Sequence, residues 1–388
     1  MSARRQGSIR ERAPGSYELR YLLGTDPANG RRRTATITIR GTQKDAEREL
    51  RRLLKTIDDG EHVEPTRMVM RDYLNNWLAT VREEVSPRTH ERYSELVRHF
   101  LAAALGNLPI AKLTPSHIQI VYTSLAHGGR RDGKPGGLAA RTRRQHSSLA
   151  RAVEDQLIAR NPAAVFKKKR LPKVERHELA TLTAQQSATL LDALRHSRVY
   201  WPVLIALATG MRRGEVLALR WRNVDLDRGT VAVVASLEQT CAGLRFKSTK
   251  TDKERAVALP GYAIEELRRL KLQQAEELLV LGVRQSGDTL VCGRADGEPL
   301  QPRSLTHEFA VLMSRIDLPR VRFHDLRHSA ATQLLAIGVH PKIVQERLGH
   351  STIATTMNLY SHVAETMQEE AAAKLDAVLR DAINKARR

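Results

Sequence analysis

Cysteine is nearly absent. The 388 residues hold two, Cys241 and Cys292, and neither belongs to a CxxC pair. A disulfide scaffold and a cysteine-rich zinc module are excluded, and the scarcity suits a reducing cytoplasm. Aromatic residues make up 4% of the chain, too few for base-stacking platforms to be the main mode of recognition. No apolar run approaches the ~18 residues that a membrane helix needs. The opening MSARRQGSIRERAPG is basic, but no apolar stretch follows it, so no secretory signal is expected. Hydrophobic residues reach 41%, enough to fill real cores, which excludes a disordered chain. The length predicts two or three domains, at roughly 100–200 residues each.

Positive charge is what the chain has in excess. Lys and Arg total 64 against 43 Asp and Glu, a formal net charge of +21. A soluble cytoplasmic protein of this kind most simply has a polyanion partner. Residues 1–60 carry 14 basic and 8 acidic side chains, 61–176 carry 21 and 11, and 177–388 carry 29 and 24. The excess is therefore densest in the first 176 residues. Two basic runs, Arg141/Arg143/Arg144 and Lys167–Lys168–Lys169–Arg170, would each pass alone for a solvated helix face or a linker. The excess over the whole segment is not neutralised by acidic neighbours, and such a surface binds phosphates with strong salt dependence.

Periodicity organises the chain. SYELRYLL (16–23) and TATITIR (34–40) alternate like strands around a Pro and Asn-Gly turn. A helical pattern follows, with Ala46, Leu50, Leu53, Leu54 and Ile57 on one face. Residues 66–165 read as helices: one through MRDYLNNWLATV, one opened by Ser86-Pro87, one by Thr114-Pro115, and a fourth over 139–159 closed by Asn161-Pro162. FKKKRLPKVER reads as an exposed linker. In the last part, helices are expected from Ala184 to His196, Trp201 to Thr209, and at 303–315, 326–337, 340–348 and 352–359. Strands are expected at Val231–Ala235, 243–250 and Ala256–Leu259. The tail 364–386 is an amphipathic helix, with Met367, Ala371, Leu375, Val378, Leu379 and Ile383 in one stripe.

Four local patterns occur in order: TGMRRGE (209–215), STKTDKER (248–255), HDLRH (324–328) and LGHSTIATTMNLY (348–360). Each is weak alone; His127 and Arg130 also match His-x-x-Arg. Their combination and spacing resemble the tyrosine recombinase family, the phage integrase type. The WLATV, SPRTHERY and closing NP segments resemble that family's helical core-binding domain, and residues 7–57 its small arm-type DNA-binding domain. The resemblance implies a multidomain chain. An α+β N-terminal module would span 1–60, an all-α core-binding domain 61–170, and a mostly α catalytic domain with a small antiparallel sheet 171–388.

The residues also make chemical sense by themselves. A phosphodiester resists attack because its oxygens are negative, and two guanidiniums can clamp them with paired hydrogen bonds. Arg212 and Arg327 are the candidates. An ion pair with Glu215, three residues on and so on the same helix face, is the structural alternative. The resemblance implies an acidic residue here that supports the arginine, so the two readings are compatible. Arg213 receives no catalytic role. The resemblance makes Tyr360 the nucleophile; a phenol with pKa near 10 needs help at neutral pH. It makes His350 a hydrogen-bond donor to the scissile phosphate, and His324 an acid/base or phosphate-binding group. His328 and His362 are read as structural. Lys250 would protonate the departing 5′ oxygen, with Lys247 and Lys253 as rivals that hairpin register leaves open.

No cofactor and no metal are expected. HDLRH places two histidines at i and i+4, as a zinc hydrolase would, but Asp325 stands where that motif has glutamate, and Arg327 would sit beside the metal. The expected activity is DNA cleavage and rejoining through a 3′-phosphotyrosine link, integrating or excising a phage or genomic island. The expected partners are double-stranded DNA, three further copies in a tetramer on paired sites, and in some systems a DNA-bending accessory protein. The expected location is the bacterial cytoplasm, at the nucleoid during recombination. A housekeeping Xer-like resolvase, a type IB topoisomerase and a non-enzymatic DNA-binding regulator are the alternatives.

Overall fold

The computed structural model describes residues 7–25, 30–58, 68–128, 130, 136–138, 180–248, 254–294, 296–360, 375–380 and 382–385, except the side chains of 358–360. The chain divides into two compact units, Met1–Glu175 and Arg176–Arg388.

The first unit opens with an antiparallel sheet in the order β1 (Gly7–Ala13), β2 (Ser16–Thr25), β3 (Arg32–Arg40). Alternation decides its two faces. Leu19 pairs with Ile9 on one side and Ile37 on the other, while Tyr21 faces Ala35. These side chains meet Ala46, Leu50, Leu53 and Ile57 of α1 (Gln43–Asp58) in one core. β1 is not among the strands expected from sequence. Ile9 is its one half-buried side chain, so it shows no hydrophobic alternation and is held by backbone pairing to β2.

The helical part has its own core. α2 (Met70–Val81) contributes Met70, Tyr73 and Leu74. Ser86 caps α3 (Pro87–Leu96), accepting the Thr89 N–H, with Pro87 in the first turn. α3 continues through a π turn, Val97–Leu101, into α4 (Ala102–Leu105). Thr114 and His117 form a reciprocal cap on α5 (Pro115–His127). The expected helix 139–159, its Asn161-Pro162 stop and the linker at 167–176 lie outside the described residues.

The second unit is built around α7 (Tyr200–Thr209), where every side chain but Trp201 is buried. A helix that is apolar all round belongs at the centre of a domain. Around it lie α6 (Ala184–Leu194), α8 (Arg213–Ala218), α9 (Gly261–Val280), α10 (Pro302–Met313), α11 (Asp325–Ala336), α12 (Pro341–Leu348) and α13 (Ile353–Tyr360). Two small antiparallel sheets complete it. β4 (Val224–Asp225), β5 (Thr230–Val233) and β8 (Arg255–Ala258) form one, and β6 (Ala235–Thr240) pairs with β7 (Gly243–Ser248) in the other. This is the small sheet in a mostly helical domain that the sequence predicts. The 20-residue α9 is not among the expected elements, although Ala263, Leu267, Leu270, Gln274 and Leu278 give it a buried stripe at helical spacing. Of the tail, 375–380 and 382–385 are helical, with Leu375, Val378, Leu379 and Ile383 exposed. Among the described residues no helix is long and apolar enough to cross a membrane.

Candidate active site

Two glycine-ended helices build the site. α7 stops at Gly210 (φ 68°) and α12 at Gly349 (φ 67°), both in the left-handed conformation that a side chain disfavours. A helix end leaves carbonyls without partners and a negative potential. Arginines fill both ends here. At α7, Arg347 donates to the Ala208 carbonyl (2.7 Å) and Arg327 to that of Gly210 (2.7 Å). At α12, Arg255 donates to the Arg347 carbonyl (3.0 Å) and Arg212 to that of Gly349 (3.0 Å). α11 packs on α7, α12 and α13, and α12 packs on β8, so segments distant in sequence converge.

The TGMRRGE motif folds around Arg212, whose extended backbone precedes α8. Its own N–H donates to Glu215 Oε2 (2.8 Å) and its Nη1 to Oε1 (2.9 Å). Glu215 is 3% exposed, and a second guanidinium, from Arg255, holds it at 2.6 and 3.2 Å. Burial pushes this carboxyl up, but the hydrogen bonds and charges of Arg255 and then Arg212 hold it below the usual carboxylate range. Arg213 turns away to the Thr306 hydroxyl on α10.

Arg327 is 2% exposed. Its Nη1 is spent on Gly210, and its buried Nη2 has no partner among the described residues. Burial first, and then the charge of Arg212, pull its pKa down. A guanidinium stays protonated under such conditions, so the consequence is a buried cation with unused donors. His350 follows Gly349, and its Nδ1 lies 2.9 Å from the hydroxyl of the fully buried Thr356 on α13. That contact fixes the ring and leaves Nε2 for another partner. Burial, followed by Arg327 and Arg212, pulls its pKa down to about 4. His324 precedes α11 and meets the His328 ring edge-on at 5.1 Å. The protein around it, then His328 and Arg327, pull its pKa to about 4 as well. Both imidazoles are therefore neutral at pH 7.

The structure thus brings Arg212 and His350 to the end of α12, and Arg327 to the end of α7 beside them in charge. His324 stands one helical turn before Arg327. Tyr360 is the last residue of α13, and its side chain lies outside the described residues, as do Lys250, Lys253 and His362.

A profile described as "Phage integrase family" matches residues 180–367, and one described as "Phage integrase, N-terminal SAM-like domain" matches 69–126. A tyrosine recombinase XerC from Mycobacterium sp. (strain KMS) is 30% identical over 303 residues, 75% of this chain and 93% of its own. The chain belongs to the tyrosine recombinase family. It is a tyrosine-type site-specific recombinase. The ICEBs1 integrase of Bacillus subtilis (strain 168) is 24% identical over 380 residues, 96% of this chain and 100% of its own. Solved tyrosine recombinases share the fold. The Tn1549 transposon integrase in complex with a circular intermediate DNA has TM-score 0.64 at 20% identity, over 78% of this chain and 99% of its own. The lambda integrase tetramer bound to a Holliday junction has 0.54 at 18%, over 89% and 95%.

Sequence reasoning about this recombinase passes over two contributors. Arg255 ends the STKTDKER motif but looks there like one more charge beside a turn. Thr356 carries no signal beyond its place between His350 and Tyr360. Lys247, a rival for the general acid, is held by Glu238 Oε1 at 2.7 Å across the β6–β7 hairpin.

Proposed function

We propose that Arg212, Arg327, His324 and His350 close around one phosphate of double-stranded DNA, which Tyr360 attacks. The Tyr360 oxygen forms a bond to phosphorus while the bond to the 5′ oxygen breaks. The product is a 3′-phosphotyrosine link and a free 5′-hydroxyl. Lys250 gives the leaving oxygen its proton, and the phenol's proton passes to neutral His324, whose basicity rises once an anionic phosphate sits beside it. The 5′-hydroxyl of a partner duplex then reverses the reaction on a new strand. The phosphoester's energy stays in the link, so neither ATP nor a metal takes part.

The observation that supports this reading most is the buried Arg327 guanidinium with Nη2 unpartnered among the described residues. A buried donor of that kind costs free energy unless a ligand meets it, and a phosphate oxygen is a matching acceptor. The pairing of Lys247 with Glu238 counts against Lys247 as the general acid and leaves Lys250 and Lys253, of which the family pattern TKT favours Lys250.

We read the biological role as integration or excision of a mobile element by a tetramer on paired sites. The Bacillus subtilis integrase aligns with 96% of this chain and the XerC relative with 75%. The N-terminal sheet turns Arg10, Arg20 and Arg40, with Thr36 and Thr38, away from its core, a surface suited to a second class of DNA site. The test is a recombination assay on plasmids bearing paired attachment sites, with EDTA present. Exchange in EDTA is the expected result. Loss of activity in EDTA, or supercoil relaxation without paired sites, would point instead to a metal-dependent hydrolase or a topoisomerase.

A further inference from the structure

Arg255 is bonded to the end of α12 and to Glu215, and these are the same two partners that hold Arg212. Its side chain is 12% exposed. Nη2 lies 2.6 Å from Glu215 Oε2, Nη1 3.2 Å from Oε1, and Nε 3.0 Å from the Arg347 carbonyl. Glu215 also binds Arg212 through Nη1 and the backbone N–H. One buried carboxylate is therefore shared between two guanidiniums.

The electrostatics of that sharing bear on the reaction. Arg212 with Glu215 alone would be a neutral pair, and its carboxylate would repel an arriving phosphate at close range. Glu215 is buried, so its repulsion is screened less than that of a surface carboxylate. With Arg255 present, the three groups keep a net positive charge. The two bonds from Arg255 also draw the carboxylate oxygens toward β8. We propose that Arg255 is a positioning residue that neutralises Glu215, leaving the charge of Arg212 directed at the scissile phosphate. Through the Arg347 carbonyl it also fixes the start of β8, where the chain emerges from the Lys250 segment, to the helix that ends beside His350. The inference rests on the reading of Arg212 as a phosphate ligand.

A structural ion pair of the same geometry would contribute little net stability and would not act on the chemical step. The distinguishing experiment uses the full chain, a suicide DNA substrate and single-turnover cleavage at saturating DNA, with DNA affinity measured separately. Arg255→Gln is expected to slow cleavage roughly 2- to 150-fold, the range of coupling between contacting groups, with affinity unchanged. Arg255→Lys, which keeps the charge, should recover part of the rate. In a Glu215→Gln background there is no carboxylate to neutralise, so adding Arg255→Gln should cost little further rate. An equal cost in both backgrounds, or a wild-type rate for Arg255→Gln, overturns the proposal. If Arg255→Gln alone does not fold, the step from Glu215→Gln to the double variant remains measurable, and a large loss there overturns it. Arg212→Ala runs in parallel. Full cleavage by that variant removes the phosphate-ligand reading itself, whereas its loss of cleavage beside an unaffected Arg255→Gln removes the inference alone.

Discussion

Arg327 donates from Nη1 to the carbonyl of Gly210 at 2.7 Å, across 117 positions of sequence. The first residue belongs to HDLRH and the second to TGMRRGE, so two motifs meet in one hydrogen bond. The bond uses the end of α7 to hold a buried cation, and it leaves the second amino group of Arg327 unpartnered among the described residues.

Replacing Arg327 separates its charge from its shape. Arg327→Lys keeps a point charge but cannot serve both Gly210 and a phosphate in one plane. Single-turnover cleavage should fall on the order of 10²–10³-fold, as when a preorganised donor to a developing anion is lost. Thermal unfolding should show a smaller change than for Arg327→Met, which leaves the Gly210 carbonyl without a donor at about 1–3 kcal/mol.

The two motif glycines should differ in tolerance. A Cβ at Gly210 would lie 2.3 Å from Leu348 Cδ2, in the packed contact between α7 and α12. At Gly349 the nearest atoms, from 3.1 Å, belong to the longer side chain of Arg255. Both alanine variants carry the left-handed strain of about 1–2 kcal/mol, and Gly210→Ala adds overpacking of about 1–3 kcal/mol. Chemical denaturation should rank Gly210→Ala as the more destabilised. The reverse order would mean that α12 shifts more freely than its packing implies.

Stability should fall with acid through the histidines. His324 and His350 have folded pKa values of about 4, below the ~6.5 of an unfolded imidazole. The unfolded chain therefore binds more protons between those values. The stability associated with this difference is complete above pH ~6.5 and is lost progressively as pH falls toward about 4. Melting temperature against pH should decline in that window, and His350→Asn should flatten the slope. Bound DNA should raise the folded pKa of both histidines, because a phosphate favours the imidazolium, and so should reduce the loss of stability in that window.

The proposed general acid, Lys250, can be separated from Lys247, one of its two rivals, by leaving-group chemistry. Sulfur in place of the bridging 5′ oxygen leaves without a proton, so Lys250→Ala should be slow on normal DNA and near wild type on the sulfur substrate. Lys247→Ala instead leaves the half-buried Glu238 without this cation. It should lose stability, on the order of 1–3 kcal/mol, without that rescue.

Much of this was legible in the residues, and the exceptions have physical causes. The caps at Ser86-Pro87 and Thr114-Pro115 are local chemistry, so both helix starts were readable. β1 escaped because backbone pairing, not side-chain alternation, makes it a strand. In α9 a sound buried stripe was masked by dense charge between its apolar positions. At the site, Arg212, Arg327 and His350 were singled out by the combination of motifs that resembles the family, and the structure brings segments of those motifs together. Arg255 was not, since a lone arginine next to a turn gains its meaning from a carboxylate 40 residues away.

The most direct measurement of the central claim is mass spectrometry of the covalent adduct trapped on a suicide DNA substrate. Peptide mapping should place one nucleotide-bearing phosphate on Tyr360, joined to a 3′ end, and Tyr360→Phe should give no adduct. A phosphate mapped to another residue, or an adduct that persists in Tyr360→Phe, would contradict the account.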